Sequence, residues 1–159
     1  METWDLTWQL TPWHELDVVL QLLIAAMIGG LIGYERERAE KPAGFRTHLL
    51  VCVGAALFTI ASIHGFAGNA DPSRVAAGVV VGMGFLGAGT IIRGGRGVVG
   101  LTTAATMWAV AAVGLTIGAR LYLAAIVVAI IVLVALRLQK WISPEEDGET
   151  RGTSDTKED

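Results

Sequence analysis

The amino-acid sequence predicts an all-α membrane protein with about five transmembrane helices, its N-terminus outside the cell and its C-terminus inside. The first observation is length: residues 75–92 carry no charge over 18 positions. Such a helix is about 27 Å long, close to the hydrocarbon thickness of a bilayer. The second is spacing, because small residues recur four apart, as in Gly78 with Gly82 and Gly114 with Gly118. Small residues let transmembrane helices approach closely. The third observation is that the basic residues are concentrated in alternate loops.

The spans are separated by polar or glycine-containing connections. The five predicted spans are residues 17–33, 48–66, 75–92, 101–119 and 120–138. Pro42 and Gly44 break the first connection. Asp71 before Pro72 resembles an N-cap followed by the first helical position, which predicts the start of the third helix. The apolar stretch after residue 100 is too long for one crossing, so a break near 118–120 divides it.

Three regions follow from this pattern. Residues 1–13 contain Trp4, Trp8 and Trp13 and suit a membrane interface. They have no basic region of the kind that begins an ordinary cleavable signal peptide. Residues 14–142 form the transmembrane domain. Residues 143–159 hold seven acids against two bases, and this composition predicts a disordered acidic tail.

The distribution of basic residues predicts the orientation. With five spans, ten of the twelve Lys and Arg residues fall in the first loop, the third loop and the C-terminal segment, while Arg74 and Arg120 fall on the opposite side. Cytoplasmic loops are the ones enriched in Lys and Arg. We therefore expect the C-terminus to lie inside.

The glycine-dense pair formed by the third and fourth spans is predicted to be the packed centre of the bundle. Trp108 lies near the middle of the fourth span, away from either interface. Packing in the core against small residues is the expected role of Trp108, and a contact with another subunit or protein is the alternative. Cys52 is expected to be a small core residue.

Groups that conduct ions or catalyse reactions are missing from the spans. No Asp or Glu occurs between Asp17 and Glu35, between Glu40 and Asp71, or between Pro72 and Pro144. Ion and proton routes through membranes usually depend on such residues. The single cysteine and three scattered histidines make no metal set, and no nucleophile–base arrangement stands out. We expect no enzyme activity, no cofactor, no bound metal and no nucleic-acid partner.

The first loop is rich in both charges and has two interpretations. If the first helix continues, Glu35 and Arg38 pair at i, i+3 and Glu37 and Lys41 at i, i+4, giving an interfacial polar face. The alternative is an inner docking surface for anionic lipid or an acidic protein face. Arg93 and Arg96 of the third loop would join it. Residues 95–100 fit GxGxxG formally, but a dinucleotide site needs a βαβ unit, so a tight turn is expected there.

The chain resembles the MgtC/SapB family of bacterial inner-membrane proteins in two stretches. They read GGLIGYERERAEKPAGFRTHLLVCVGAALF (29–58) and DPSRVAAGVVVGMGFLGAGTIIRGGRGVVGLTTAATMWAVAAVGLTIG (71–118). The resemblance implies a five-helix membrane domain, links to low-magnesium adaptation and, in pathogens, to virulence. Some relatives look like modulators of membrane ATPases. Longer relatives append a soluble cytoplasmic domain, for which the acidic tail here is too short.

The resemblance and the charged loops together give the candidate interaction residues. They are Glu35, Arg36, Arg46, Thr47, His48, Asp71, Arg74, Gly84, Phe85, Gly87, Gly89, Arg93, Arg96, Gly100, Thr102, Thr103 and Trp108.

The sequence favours a non-enzymatic protein that acts by contact, modulating a membrane complex such as an ATPase and supporting magnesium homeostasis. Its partners would be the lipid bilayer and another membrane protein, and homo-oligomerisation stays open. One alternative is a carrier for Mg²⁺ or another cation. A further alternative is a lipid-associated scaffold.

Overall fold

The computed structural model describes residues 12–64, 71, 73–94 and 97–142. Two predicted regions, the N-terminal segment up to residue 11 and the acidic tail from residue 143, lie outside the described residues. The elements in chain order are α1 (Pro12–Arg38), α2 (Phe45–His64), α3 (Ser73–Gly89), β1 (Ile92–Gly94), β2 (Gly97–Val99), α4 (Leu101–Gly118) and α5 (Tyr122–Ile142). The predicted all-α class is confirmed, with one short hairpin added between α3 and α4.

Three of these helices are long and apolar enough to cross a membrane. They are residues Glu15–Arg38, Phe45–His64 and Leu101–Gly118. The described parts of α3 and α5 are shorter apolar helices. The predicted break after the fourth span is confirmed: α4 ends at Gly118, Arg120 has a positive φ of 62°, and α5 starts at Tyr122.

Helices α1 and α2 form an antiparallel pair that is joined through glycines. A Cβ atom on Gly29 would lie 2.5 Å from the Cβ of Cys52. One turn later, a Cβ on Gly33 would lie 2.9 Å from the Cβ of His48. Only hydrogen atoms fit in these gaps, so the two backbones approach as closely as small residues permit in membrane helix pairs.

Helix α4 packs against α2 in the parallel sense. Gly114 faces the backbone of Cys52, and Gly118 faces Ala56 and Thr59 one turn further along. Because residue numbers rise together, the N-terminal ends of α2 and α4 lie at one end of the bundle. The C-terminal end of α1 lies there too. We call this the loop end, and the opposite end the far end.

The buried core lies among α1, α2, α4 and α5. Its buried members include Ala25, Ile32, Cys52, Val110 and Ala125. The expected core position of Cys52 is confirmed. The side chains are small or branched, so they fill the space between closely spaced helices without polar atoms.

Helix α3 lies at the edge of this core, so the expectation that α3 and α4 form the packed centre is wrong for α3. Its buried residues are Met83 and Gly87. Gly78 and Gly82 have no atom within 4 Å of the position a Cβ would take. The predicted small-residue spacing is present on α3, but the glycine pairs that pack against α2 lie on α1 and α4.

The third loop contains a two-stranded antiparallel hairpin, where a tight turn was expected. Ile92 pairs with Val99 and Arg93 pairs with Val98. The hairpin is followed by Gly100, whose φ of 94° is left-handed and favours glycine. A Cβ at Gly100 would overlap the carbonyl oxygen of Thr90, so this glycine lets the two ends of the loop come together.

Candidate interaction surfaces

Two candidate residues of the stretch 29–58, an arginine and a histidine, are buried at the loop end. Arg36 is 2% exposed and His48 is fully buried. The Nδ1 atom of His48 lies 2.9 Å from the carbonyl oxygen of Gly44, which fixes the ring. The Nε atom of Arg36 and the Nε2 atom of His48 have no hydrogen-bond partner among the described residues. The alternative interpretation of the first loop as a docking surface therefore does not include these two residues, which belong to the interior.

Glu37 is the acid that connects the two helices, and it was not among the predicted site residues. Its Oε2 atom accepts a hydrogen bond of 2.7 Å from the backbone N–H of Phe45, the first residue of α2. A Cβ on Gly44 would lie 2.8 Å from the same oxygen. Glu37 thus caps α2 from another helix. Sequence spacing gives little indication of a cap that lies eight residues before the helix that it serves.

The charged residues around Glu37 do not pair as their helical spacing predicted. Glu35 is half-buried and lies 3.9 Å from Arg137 of α5, measured from Oε2 to NH2. Arg46 is exposed and Thr47 is half-buried on the first turn of α2. The expected pairs of Glu35 with Arg38 and of Glu37 with Lys41 are wrong. Glu35 pairs instead with Arg137, and the carboxylate of Glu37 accepts the N–H of Phe45.

Asp71 and Arg74 lie at the far end, away from the candidate residues of the stretch 29–58. The Oδ1 atom of Asp71 accepts the backbone N–H of Ser73 at 2.9 Å, which confirms the predicted cap. This hydrogen bond lowers the pKa of Asp71, and a second one from the Ser73 hydroxyl lowers it further. Arg74 is exposed. The same end also contains an ion pair of 2.5 Å between Arg120 and Asp17.

The predicted residues of α3 are mostly on its outer surface. Phe85 is 79% exposed, and Gly84 and Gly89 face open space. Gly87 is the exception, because it is buried against Ala104 of α4. These positions therefore present an apolar surface to the surroundings instead of filling the core.

Trp108 is 51% exposed, so the expected core position is wrong. It points out of α4, and the packed Gly114 and Gly118 lie on another face of the same helix. Thr103 is buried and Thr102 is exposed on the first turn of α4. The alternative, that Trp108 contacts another subunit or protein, stays a prediction.

An apolar groove of about 600 Å³ separates α2 from α3. Glycines contribute to both of its walls, Gly54 on α2 and Gly78 with Gly82 on α3. No atom lies within 4 Å of the Cβ position of any of the three. The remaining lining residues are Leu50, Val51, Ala55, Phe58, Val75, Val79, Met83 and Leu86. The groove is therefore an apolar channel with glycines on both walls, and no helix among the described residues fills it.

The hairpin carries Arg93, which is exposed at the loop end. Arg96 lies outside the described residues. Gly100 is the residue preceding α4. Within the described ranges, no group of three His, Cys, Asp or Glu residues is placed to hold a metal ion.

Apolar spans, glycine-mediated helix contacts and polar residues gathered at the two ends define a helical membrane protein. Its candidate sites are contact surfaces. A family model described as the MgtC family matches residues 22–144. The chain belongs to the MgtC family.

Individual relatives agree with this membership. The chain is 43% identical over 129 residues to the "Putative magnesium transporter YhiD" of Escherichia coli (strain K12), covering 77% of this chain and 60% of that protein. It is 53% identical over 97 residues to Protein MgtC of Brucella abortus (strain 2308), covering 61% and 40%. It is 44% identical over 117 residues to Protein MgtC of Salmonella typhimurium (strain LT2), covering 74% and 50%.

The chain thus spans between 40% and 60% of the length of these relatives. No solved structure matches it.

Proposed function

We propose that this chain is a non-enzymatic membrane protein that acts by contact, modulating a larger membrane complex such as an ATPase. The observation that carries the proposal is the open groove between α2 and α3. The occupant we propose is a transmembrane helix of that complex. This role would serve magnesium homeostasis; the Escherichia coli relative is named a putative magnesium transporter.

The open glycines favour a helix as the occupant. Gly78 and Gly82 are four residues apart on one face of α3, and Gly54 lies on the opposite wall. Small residues at this spacing let a second helix approach until backbones are in van der Waals contact. Equivalent glycines elsewhere in the chain, such as Gly29 and Gly114, are already occupied by helices.

The buried charge at the loop end argues against a cation carrier. Arg36 is buried inside the bundle, and its positive charge raises the electrostatic energy of a divalent cation passing nearby. A Mg²⁺ site needs several oxygen ligands, usually including carboxylates. The acids closest to Arg36 in sequence already have partners. Glu35 pairs with Arg137, and Glu37 accepts the N–H of Phe45.

We further propose that the chain lies in the bacterial inner membrane as a multi-pass protein, with its N-terminus outside. The loop end, which carries most of the basic residues, would then face the cytoplasm. Reporter fusions at residue 1 and after residue 142 test this orientation. Cytoplasmic activity of the N-terminal fusion contradicts it.

The contact proposal is tested by filling the groove. Gly82→Leu places a branched side chain between α2 and α3, and Ala77→Leu, at an exposed position of α3 outside the groove lining, is the matched control. A photo-crosslinking residue at Val79 reports the partner helix in native membranes. ATP-driven proton pumping in inverted vesicles reports the effect on the ATPase. We expect Gly82→Leu to abolish the crosslink and the change in pumping that the unsubstituted chain causes, and Ala77→Leu to retain both.

Equal behaviour of the two variants overturns the groove as the contact surface. The carrier alternative is tested in liposomes that contain the purified chain and a Mg²⁺-sensitive dye. We expect no Mg²⁺ flux above that of empty liposomes. A robust flux that Glu35→Gln abolishes contradicts the contact proposal and supports transport.

A further inference from the structure

The described strands of the hairpin between α3 and α4 have one face with only apolar side chains and one face that carries a positive charge. Cross-strand partners in an antiparallel pair point to the same side. Ile92 and Val99 therefore share one face, and Arg93 and Val98 share the other. Ile92 and Val99 are 67% and 66% exposed, so no described part of the chain covers the apolar face.

The lengths of the flanking helices set the depth of this hairpin. Helix α3 has 17 residues and α4 has 18, which gives lengths of about 25 and 27 Å. Their far ends are marked by the charged residues Arg74 and Arg120, which belong at a membrane surface. Measured from there across a hydrocarbon core of about 30 Å, the hairpin begins at the opposite boundary between acyl chains and headgroups.

The backbone of the hairpin restricts it to this boundary. Each strand has three residues and pairs only with the other, so both outer edges present unpaired N–H and C=O groups. Such groups are costly in hydrocarbon. An isolated two-stranded hairpin is also marginally stable without a surface to cover its apolar side. The acyl-chain boundary supplies that surface and leaves the edges in contact with water and headgroups.

We propose that the hairpin is a lipid-binding element that inserts Ile92 and Val99 among the acyl chains and binds the phosphate of an anionic phospholipid with Arg93. The base of the hairpin keeps this orientation, because Gly100 lies against the carbonyl oxygen of Thr90. The proposal is independent of whether a partner helix occupies the α2–α3 groove.

The orientation of the two faces is tested with fluorescent labels on single introduced cysteines. Ile92→Cys and Val98→Cys lie on opposite faces, and the native Cys52 is fully buried, so the unsubstituted protein serves as the labelling blank. The labelled proteins are placed in nanodiscs of phosphatidylcholine with phosphatidylglycerol. We expect the label at 92 to be quenched by nitroxide on the acyl chain, and the label at 98 to be quenched by aqueous iodide. Equal quenching at both positions, or the reverse pattern, overturns the proposal.

The lipid preference is tested by native mass spectrometry of the retained phospholipids. We expect Arg93→Gln to lower the ratio of bound phosphatidylglycerol to phosphatidylcholine by about fivefold, and Arg93→Lys to retain most of the preference. Arg38→Gln removes one exposed charge of α1 at the same end of the bundle and is the matched control, with an unchanged ratio expected. An unchanged ratio in Arg93→Gln, or an equal loss in Arg38→Gln, contradicts the proposal.

A soluble anion is the competing source of phosphate chemistry. In detergent without phospholipid, we expect no Arg93-dependent binding of inorganic phosphate, because the apolar face then has no acyl surface to hold the hairpin in place. Phosphate binding that is lost in Arg93→Gln would overturn the lipid assignment.

Discussion

The glycines of α1 and α4 and those of α3 have the same spacing in sequence but opposite surroundings in the structure. Gly29, Gly33, Gly114 and Gly118 are in contact with the backbone or Cβ atoms of α2. Gly78 and Gly82 contact nothing within 4 Å of the Cβ position. The first group holds the chain together, whereas the second is a surface that another helix can fill. A small-residue motif therefore does not by itself indicate whether it serves folding or recognition.

The largest expected difference between the two regions comes from adding one methyl group to each. Gly114→Ala places a Cβ against the carbonyl oxygen of Cys52 and near the Cβ of Ala55. We expect it to lower the free energy of unfolding by about 2–3 kcal/mol. Gly78→Ala enters open space and should be neutral or stabilising by up to about 1 kcal/mol, because alanine favours helix. Unfolding of the purified variants in mixed micelles measures both values, and equal changes would remove the distinction.

The buried cation Arg36 is expected to lower the stability of the packed region. Arg36→Met replaces a buried side chain, whose Nε atom has no hydrogen-bond partner among the described residues, by an apolar chain. We expect the free energy of unfolding to rise by about 1–2 kcal/mol, in line with other replacements of buried charges. Arg38→Met, at an exposed position on the same helix, should change it by less than about 0.5 kcal/mol. Thermal unfolding compares the two, and a loss of stability in Arg36→Met would indicate a partner for this charge.

The contact between α1 and the start of α2 is expected to have a smaller effect. Glu37→Ala removes the acceptor for the N–H of Phe45, which we expect to cost about 1 kcal/mol, as for other N-caps. Glu37→Gln keeps an acceptor oxygen and should lose less. Hydrogen exchange of the first turn of α2 measures the effect locally. Unchanged exchange in Glu37→Ala would show that the cap is dispensable.

The smallest expected effect concerns the start of α3 and its dependence on pH. The N–H of Ser73 lowers the pKa of Asp71 in the folded chain, so the ionised carboxylate stabilises the fold above the ordinary pKa. The stabilisation is lost as the pH falls through the lowered pKa. Fluorescence from a label at Ser73 should therefore report fraying of this helix end in acid. Asp71→Asn should remove the pH dependence, and a persistent dependence would assign it to another group.

Element lengths and connections are the part of this protein that its sequence predicted well. The uncharged runs located all five helices to within five residues at either end, because hydrophobic length is a local property of the chain. The cap at Asp71 and the break at Arg120 were also local, and both are confirmed. The burial of Arg36 was missed because helical spacing shows which residues share a face, without showing what covers that face.

The sequence by itself determined that this chain is a bundle of apolar helices with its charges at the ends, since hydropathy and helical rise are enough for that conclusion. Only the tertiary structure decided which glycines are packed. Gly114 lies against Cys52 and Ala55 on another helix, whereas no described atom lies within 4 Å of the position a Cβ would take on Gly78. That difference depends on contacts between residues far apart in the chain, and no local pattern contains it.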